Sequence, residues 1–252
     1  MPKAYLNKIF SHTLEAYQKN GKLILFFSVP FLIVIPLLFF LPNFASLGGL
    51  FLRFDSLPAN VDFSQFGFIA AAYLASLLLA SFAISAINIV LRSQRTLNRL
   101  THFEVQRIEH ATFKLFFVFL TATVVILAAN VLLLNSQLQV NGGPVPLQPV
   151  LGSLIAFLVS GAVLFAPQAI AVDDAPLSEA VVRSTSFMFR KPALFLSFLV
   201  IAAVLLLLND AVFLAVTPQG ARLSSLLVSG FLILPFLEVL KTHVYLSKYE
   251  LI

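Results

Sequence analysis

The stretch from Leu23 to Leu41 reads LILFFSVPFLIVIPLLFFL, which is 19 consecutive residues without a charge. At about 1.5 Å per helical residue it measures roughly 28 Å, close to the hydrocarbon thickness of a bilayer. It is longer than the apolar core of a secretory signal peptide, and no clear small-x-small cleavage site follows it. The stretch therefore predicts a membrane-spanning helix that is retained in the mature protein.

Five further apolar runs of spanning length follow, separated by polar or Pro- and Gly-bearing residues. The 252 residues are 60% apolar and 11% charged, whereas soluble domains average about 45–50% apolar and about 25% charged. This composition excludes a water-soluble fold. We predict an all-α polytopic integral membrane helix bundle in which residues 1–252 form a single domain. Its six spans are expected at about 23–41, 66–91, 113–135, 150–171, 193–216 and 223–245.

The basic residues divide very unequally between the two sides of this bundle. If successive loops alternate, 14 of the 16 Lys and Arg residues fall on one side, and only Arg53 and Arg222 remain on the other. Because cytoplasmic loops carry the excess of Lys and Arg, we predict a multi-pass protein of the cell membrane with both termini cytoplasmic. Topology thus accounts for the net charge of +5, and no further basic cluster indicates nucleic-acid binding.

Amphipathic cytoplasmic helices are predicted before spans one, three and five, because apolar residues recur there at roughly helical spacing. Asp173 and Asp174 are expected to cap the last of these helices, with Pro176 in its first turn. The pattern leaves open whether the helices lie on lipid or pack against protein. The positions on the three predicted faces are Leu6, Ile9, Phe10, Thr13, Leu14 and Tyr17; then Leu97, Leu100, Phe103, Val105 and Ile108; then Leu177, Ala180, Val181, Ser184, Phe187 and Met188.

A motif between the fourth and fifth spans consists of acidic residues, a short turn, Glu-Ala-x-x-x-Ser and a basic pair before the membrane. The chain also closes on Thr-x-x-Tyr at residues 242–245. Both features resemble a group of six-span prokaryotic proteins that includes the membrane domain of glycerophosphoryl diester phosphodiesterases and the YciC-like uncharacterised membrane proteins. The motif residues are Asp173, Asp174, Glu179 and Ser184.

This resemblance extends over the plan of the whole chain and implies architecture rather than activity, since the function of the group is largely uncharacterised. The hydrolase domain of the phosphodiesterase members has no counterpart in these 252 residues, so their activity is not carried over.

Little in the sequence indicates catalysis. The absence of cysteine excludes thiolate nucleophiles, Cys-ligated zinc and iron–sulfur clusters. No metalloprotease, serine-hydrolase or phosphate-binding loop motif occurs either. We therefore predict that the chain is not an enzyme, with no catalytic, cofactor-binding or metal-binding residue and no cofactor.

Four polar residues in or near the spans are the candidate functional positions, because polar groups in lipid usually face the protein interior or a watery cavity. Asp210, with Asn209, either forms an external mouth or marks where the fifth span leaves the hydrocarbon. Glu238 either pairs with Lys241, three residues later, or forms a polar entrance. The four positions are Asn88, Asn130, Asp210 and Glu238.

Three classes of function remain open. The first is a non-enzymatic scaffold or subunit of a membrane assembly, favoured because charges are scarce within the spans. The second is a transporter or permease for a small or amphipathic solute, which requires the polar positions to converge on one cavity. A lipid-acting enzyme, which requires clustered acidic or His residues at one depth, has the least support. The expected partners are the lipid bilayer and a second protein or copy of this chain, and no nucleic acid.

Overall fold

A computed structural model describes residues 3–40, 44–47, 51–54, 63–93, 102–133, 137–140, 143–146, 151–216 and 221–247. The long helices are α1 (Lys3–Phe40), α2 (Phe63–Ser93), α3 (His102–Leu133) and α7 (Pro192–Val216). Shorter helices are α4 (Ser153–Val163), α5 (Ala166–Ala171), α6 (Leu177–Arg190), α8 (Ala221–Val228) and α9 (Leu234–Leu246). A π-helical turn at Ser229–Ile233 joins α8 to α9.

Two short antiparallel hairpins occupy loops for which the sequence predicts no regular structure. The first pairs β1 (Phe44–Leu47) with β2 (Phe51–Phe54), and the second pairs β3 (Gln137–Val140) with β4 (Gly143–Pro146). Apart from these hairpins, regular structure in the described ranges is helical. The prediction of a helical bundle is therefore confirmed, and the hairpins are an addition to it.

Five helical segments of the described chain are long and apolar enough to cross a membrane. They coincide with the second to sixth predicted spans to within a few residues, except that the third continues back to His102 in one helix. The first predicted span lies within α1 as far as residue 40, and residue 41 is outside the described ranges. The five segments are Ala70–Arg92, His102–Leu133, Ser153–Ala171, Pro192–Ala215 and Ser224–Leu246.

Prolines accompany the irregularities in two of these segments. The fourth predicted span is broken between α4 and α5 at Leu164 and Phe165, and Pro167 follows within the first turn of α5. In the last span the π-helical turn ends just before Pro235. Because proline lacks an N–H and its ring crowds the carbonyl four residues earlier, a regular hydrogen-bond ladder cannot continue through either position.

The core is centred on α5, all six residues of which are buried. The ring of Phe165, at the start of α5, lies 4.6 Å from that of Phe187 on α6 between centroids. It also stacks nearly parallel to Tyr245 on α9, at 6.2 Å and 18°. These three aromatic side chains join the broken span to the helices on either side of it.

The predicted amphipathic stretch at the start of α1 packs against protein. Ile9 and Thr13 are buried, and the rings of Phe10 and Tyr17 meet Phe236 of α9 edge-on at 5.9 and 5.8 Å. Burial raises the pKa of the Tyr17 phenol above its ordinary value of 10.0.

The predicted amphipathic faces before the third and fifth spans differ in how far they are buried. Before the third span, Leu97 and Leu100 lie outside the described residues. Of the predicted face, Ile108 is buried, but Phe103 and Val105 are exposed and Glu104 is buried in their place, so the prediction is met here only at Ile108. In α6 the buried residues are Ala180, Ser184 and Phe187, which belong to the predicted face.

Candidate functional site

Five polar side chains from α2, α5 and α9 meet in the interior of the bundle, and we call them the buried polar cluster: Asn88, Gln168, Glu238, Lys241 and Thr242. Lys241 Nζ donates to Glu238 Oε1 at 2.5 Å, one turn along the same helix. The Lys241 side chain is 2% exposed and that of Glu238 12%. A charge removed from water so completely is tolerable only beside an opposite one, so the two side chains neutralise each other.

Asn88 links this ion pair to the amide and hydroxyl groups. Its Oδ1 accepts from Thr242 Oγ1 at 2.6 Å and from Gln168 Nε2 at 3.1 Å. Its Nδ2 donates to Ile84 O at 2.8 Å and to Glu238 Oε2 at 3.4 Å. Gln168 Oε1 is buried and accepts no hydrogen bond from the part of the chain that the structure describes. The cluster thus contains one acceptor that the surrounding helices leave unmatched.

The structure brings two of the four predicted polar positions together, Asn88 and Glu238, and separates the other two. Of the two alternatives for Glu238, the pair with Lys241 is formed. Asn130 bonds within its own helix, its Nδ2 donating to Ile126 O at 2.9 Å. Its Oδ1 lies so close to Gly152 that a methyl group there would collide with it. Asn130 therefore serves the contact between α3 and the residues leading into α4.

Asp210 belongs to a second polar group, which joins α7 to α8. Ser225 Oγ donates to Asp210 Oδ1, while Asn209 Nδ2 donates to Ser225 O at 2.9 Å and to Ser229 Oγ at 3.0 Å. Asn209 is 9% exposed. These hydrogen bonds connect neighbouring helices, and no member of this group takes part in the buried polar cluster.

The aspartates predicted to cap α6 instead accept hydrogen bonds from arginine and tyrosine side chains. Asp173 Oδ2 accepts from Arg183 Nη1 at 2.9 Å and from the Tyr245 hydroxyl at 2.8 Å. Asp174 accepts from Arg107 Nη2 at 2.6 Å and from Arg92 Nη1 at 3.0 Å. The residue at the N-cap of α6 is Pro176, and no side chain caps the helix. The capping prediction is wrong because charged guanidinium groups from other helices compete for these carboxylates better than backbone N–H groups do.

These ion pairs favour the charged forms of Asp174 and Arg183. Burial alone would raise the pKa of Asp174, but hydrogen bonds and charges from Arg107 and Arg92 outweigh it and hold the pKa below its ordinary value of 3.8. Hydrogen bonds from Arg183 to Glu179 and Asp173 raise the pKa of that guanidinium further. Asp174 also has a φ of +53°, a left-handed conformation that aspartate tolerates better than most residues.

Ser184 of the motif supplies a hydrogen-bond acceptor at the break in the preceding span. Its Oγ accepts the hydrogen bond from Phe165 N at 3.0 Å, where the helix ladder is interrupted. The neighbouring Thr185 Oγ1 donates to Ala162 O at 3.4 Å. Asp173 and Ser184 of the motif therefore connect α6 and the turn before it to α9 and to the break in the fourth span, while Glu179 pairs with Arg183 within α6.

No protein-family model, curated protein or solved structure matches this chain.

A cleft of about 430 Å³ opens beside the buried polar cluster, and we call it the basic cleft. Its lining includes His12 and Lys19 of α1, Arg92 of α2, and Thr242 and His243 of α9. Thr242 belongs to both features, because its hydroxyl reaches Asn88. The cleft and the cluster thus share one side chain.

Sequence reasoning missed Gln168, although a signal for it was present. Gln168 is the single glutamine of the fourth predicted span and directly follows Pro167, so it is a polar group placed where the helix ladder must fail. Chemically, the site offers one compensated ion pair, amides and a hydroxyl. Among the described residues, no three His, Asp or Glu side chains are grouped as they would be to hold a metal ion.

Proposed function

We propose that this chain is an integral protein of the cell membrane that crosses the bilayer six times, with both termini cytoplasmic. It supplies a non-catalytic scaffold or subunit to a membrane assembly. Five apolar helices and the apolar second half of α1 support six crossings, and the 14-to-2 distribution of basic residues supports the orientation. In this arrangement α6 and the start of α1 lie at the cytoplasmic interface. The resemblance to the six-span group stays a prediction alongside it.

The observation that carries the scaffold role is the way the polar groups inside the spans are used. Glu238 is bound to Lys241, Asn209 to Ser225 and Ser229, and Asn130 to its own helix. The hydrogen bonds from Asn88 to Glu238 and from Asn209 to Ser225 and Ser229 join different helices. By contrast, α3 and α7 carry exposed apolar side chains. Leu132 is 79% exposed and Leu207 67% exposed. Such faces suit lipid, a second copy or another membrane protein.

Orientation can be tested directly because the chain has no cysteine, so each introduced cysteine reports without background. Val182 on α6 is 65% exposed and lies in the segment proposed to be cytoplasmic. Asn141 lies in the predicted external loop that has no Lys or Arg. In intact cells a membrane-impermeant maleimide should label Asn141→Cys and spare Val182→Cys until the cells are opened. The reverse pattern would overturn the topology.

The scaffold role is tested by purifying the full chain in mild detergent and quantifying every protein and small molecule retained. A protein partner at stoichiometric ratio, or a defined oligomer, is the expected result. A monomer that retains no protein and instead keeps one solute at stoichiometric ratio would overturn the proposal.

Transport is the second candidate, and one observation favours it. Asn88 and Glu238 converge with Gln168, whose Oε1 is unmatched among the described residues, and Thr242 connects that cluster to the basic cleft. If transport is the function, Asn88→Leu should abolish stoichiometric retention of a solute while Asn130→Leu leaves it intact. Equal retention by the two variants would count against the cluster as a solute site.

A further inference from the structure

The basic cleft lies where the apolar parts of several helices end. Arg92 is the last residue of the apolar segment Ala70–Arg92, Val172 directly follows Ser153–Ala171, and Leu246 closes Ser224–Leu246. All three residues line the cleft. Three membrane-length segments therefore end around one opening, which places it at the depth where the hydrocarbon of a bilayer gives way to the lipid headgroups.

The chemistry of the cleft is that of an anion site. Lys19 and Arg92 bring positive charge, His12 and His243 bring imidazole nitrogens, and Glu15 is the one carboxylate among the described residues of the lining. Lys19 is exposed and pairs with no residue that the structure describes. Its ammonium group is therefore available to a ligand.

The hydrogen bonds of Arg92 fix its side chain but do not use all of its N–H groups. Its Nη1 donates to Ala171 O at 2.9 Å and to Asp174 Oδ2 at 3.0 Å, whereas its Nε and Nη2 donate to no residue in the described ranges. A fixed guanidinium with N–H groups to spare suits the oxygens of a phosphate. The volume of about 430 Å³ falls within the roughly 300–1,000 Å³ of small-molecule sites.

We propose that the basic cleft binds a phosphate group, that of an anionic phospholipid headgroup, between Lys19 of α1 and Arg92 of α2. The phosphate of a lipid and that of a soluble phosphoester present the same oxygens, and the position at the ends of three apolar segments favours the lipid. Bound there, the headgroup bridges α1 to α2 in a cleft that Thr242 of the buried polar cluster also lines.

The test measures lipid bound to the full chain in detergent by native mass spectrometry, titrating phosphatidylglycerol against phosphatidylcholine. Lys19→Gln is the informative variant, because Lys19 has no described structural partner. Lys22→Gln is the matched control: it removes an equal charge from an exposed residue of the same helix, one that does not line the cleft. We expect the wild type to retain one phosphatidylglycerol in preference to phosphatidylcholine. Lys19→Gln should weaken its binding about fivefold, the effect of one basic group near an anionic surface.

Three results would overturn the proposal: no preference for phosphatidylglycerol, equal loss in the two variants, or full retention by Lys19→Gln. A competition with glycerol phosphate and inorganic phosphate separates the two sources. Failure of millimolar phosphate to displace the lipid supports the headgroup. If phosphate displaces the lipid and the displacement depends on Lys19, the cleft is a phosphate site but its assignment to a lipid headgroup is overturned.

Discussion

The fourth and fifth predicted spans are similarly apolar, but the fourth is largely buried in the molecule and the fifth lies on its surface. Ser153–Ala171 has a mean hydropathy of 2.1 and Pro192–Ala215 one of 2.5, yet 61% of the apolar window is buried in the first and 6% in the second. Mean hydropathy therefore shows that a helix suits a membrane but does not show whether it forms the core or the rim.

What distinguishes the inner span is its irregularity. A methyl group on Gly161 would lie 3.2 Å from Met188 Sδ and 3.3 Å from the Phe195 ring, so these side chains of α6 and α7 pack tightly against the bare backbone of α4 and would have to shift slightly to admit one. Pro167 accompanies the break in the helix, and Gln168 enters the buried polar cluster. Small and polar residues mark the packed helix, as expected where helices associate through close contact and hydrogen bonds rather than through exclusion of water.

The largest expected effect follows from breaking the buried ion pair beside the inner span. Lys241→Met leaves the Glu238 carboxylate without its counter-charge and should lower the free energy of unfolding by about 3–5 kcal/mol. Because the chain has no Trp, unfolding is best followed by circular dichroism in mixed micelles. The double variant Lys241→Met with Glu238→Gln should recover most of the loss, and a double variant as unstable as the single one would show that charge compensation is not the cause.

The next effect compares the two spans directly. Phe165→Ala removes a fully buried ring from the aromatic contacts of the inner span. We expect a loss of about 3 kcal/mol in the free energy of unfolding, at the low end for such truncations because the ring would otherwise contact lipid rather than water. Leu207→Ala, on the outward face of α7, should change it by less than about 0.5 kcal/mol. Similar losses in the free energy of unfolding for the two variants would contradict the distinction between a core span and a rim span.

A smaller effect is expected from two serines in the same comparison. Ser184→Ala removes the acceptor for Phe165 N and should cost about 1–2 kcal/mol, since it leaves a buried N–H unpaired. Ser197 on α7 is half-buried, and among the described residues its hydroxyl bonds only the carbonyl of Ala193 in its own helix. Ser197→Ala should therefore be nearly neutral in the same unfolding measurement, and parity between the two variants would argue against the repair of the break by Ser184.

The smallest effect concerns the acid sensitivity of the loop that follows the inner span. The pKa of Asp174 is lower in the folded chain than its ordinary value of 3.8, so its contribution to stability is present above that value. It is lost as the pH falls through the folded pKa. Melting temperatures measured between pH 6 and pH 3 should fall more steeply for the wild type than for Asp174→Asn. Since the side chain is 61% exposed, the difference should be modest, and parallel curves would contradict it.

The sequence predicted the positions of five apolar helices well, because hydrocarbon thickness constrains each span by itself, while the sixth span, within α1, stays a prediction. The pair of Glu238 with Lys241, one of the two alternatives the sequence offered, could be foreseen because their spacing is local, on one turn of helix. The sequence could not predict that Asn88 and Gln168 join them, since which helices become neighbours is decided by packing between distant segments. The capping prediction for Asp173 and Asp174 failed for the same reason, because Arg92, Arg107 and Tyr245 come from elsewhere in the chain.

The hydrogen bond from Phe165 N to Ser184 Oγ has a consequence for synthesis, because its acceptor lies 19 residues downstream of its donor. At about 5–20 residues per second, the ribosome delivers that hydroxyl roughly one to four seconds after the amide it must satisfy. During this interval the fourth span is an apolar segment with an uncapped backbone group at its break. The segment can be inserted on hydropathy alone, but it reaches its final shape only when the following helix has folded back onto it.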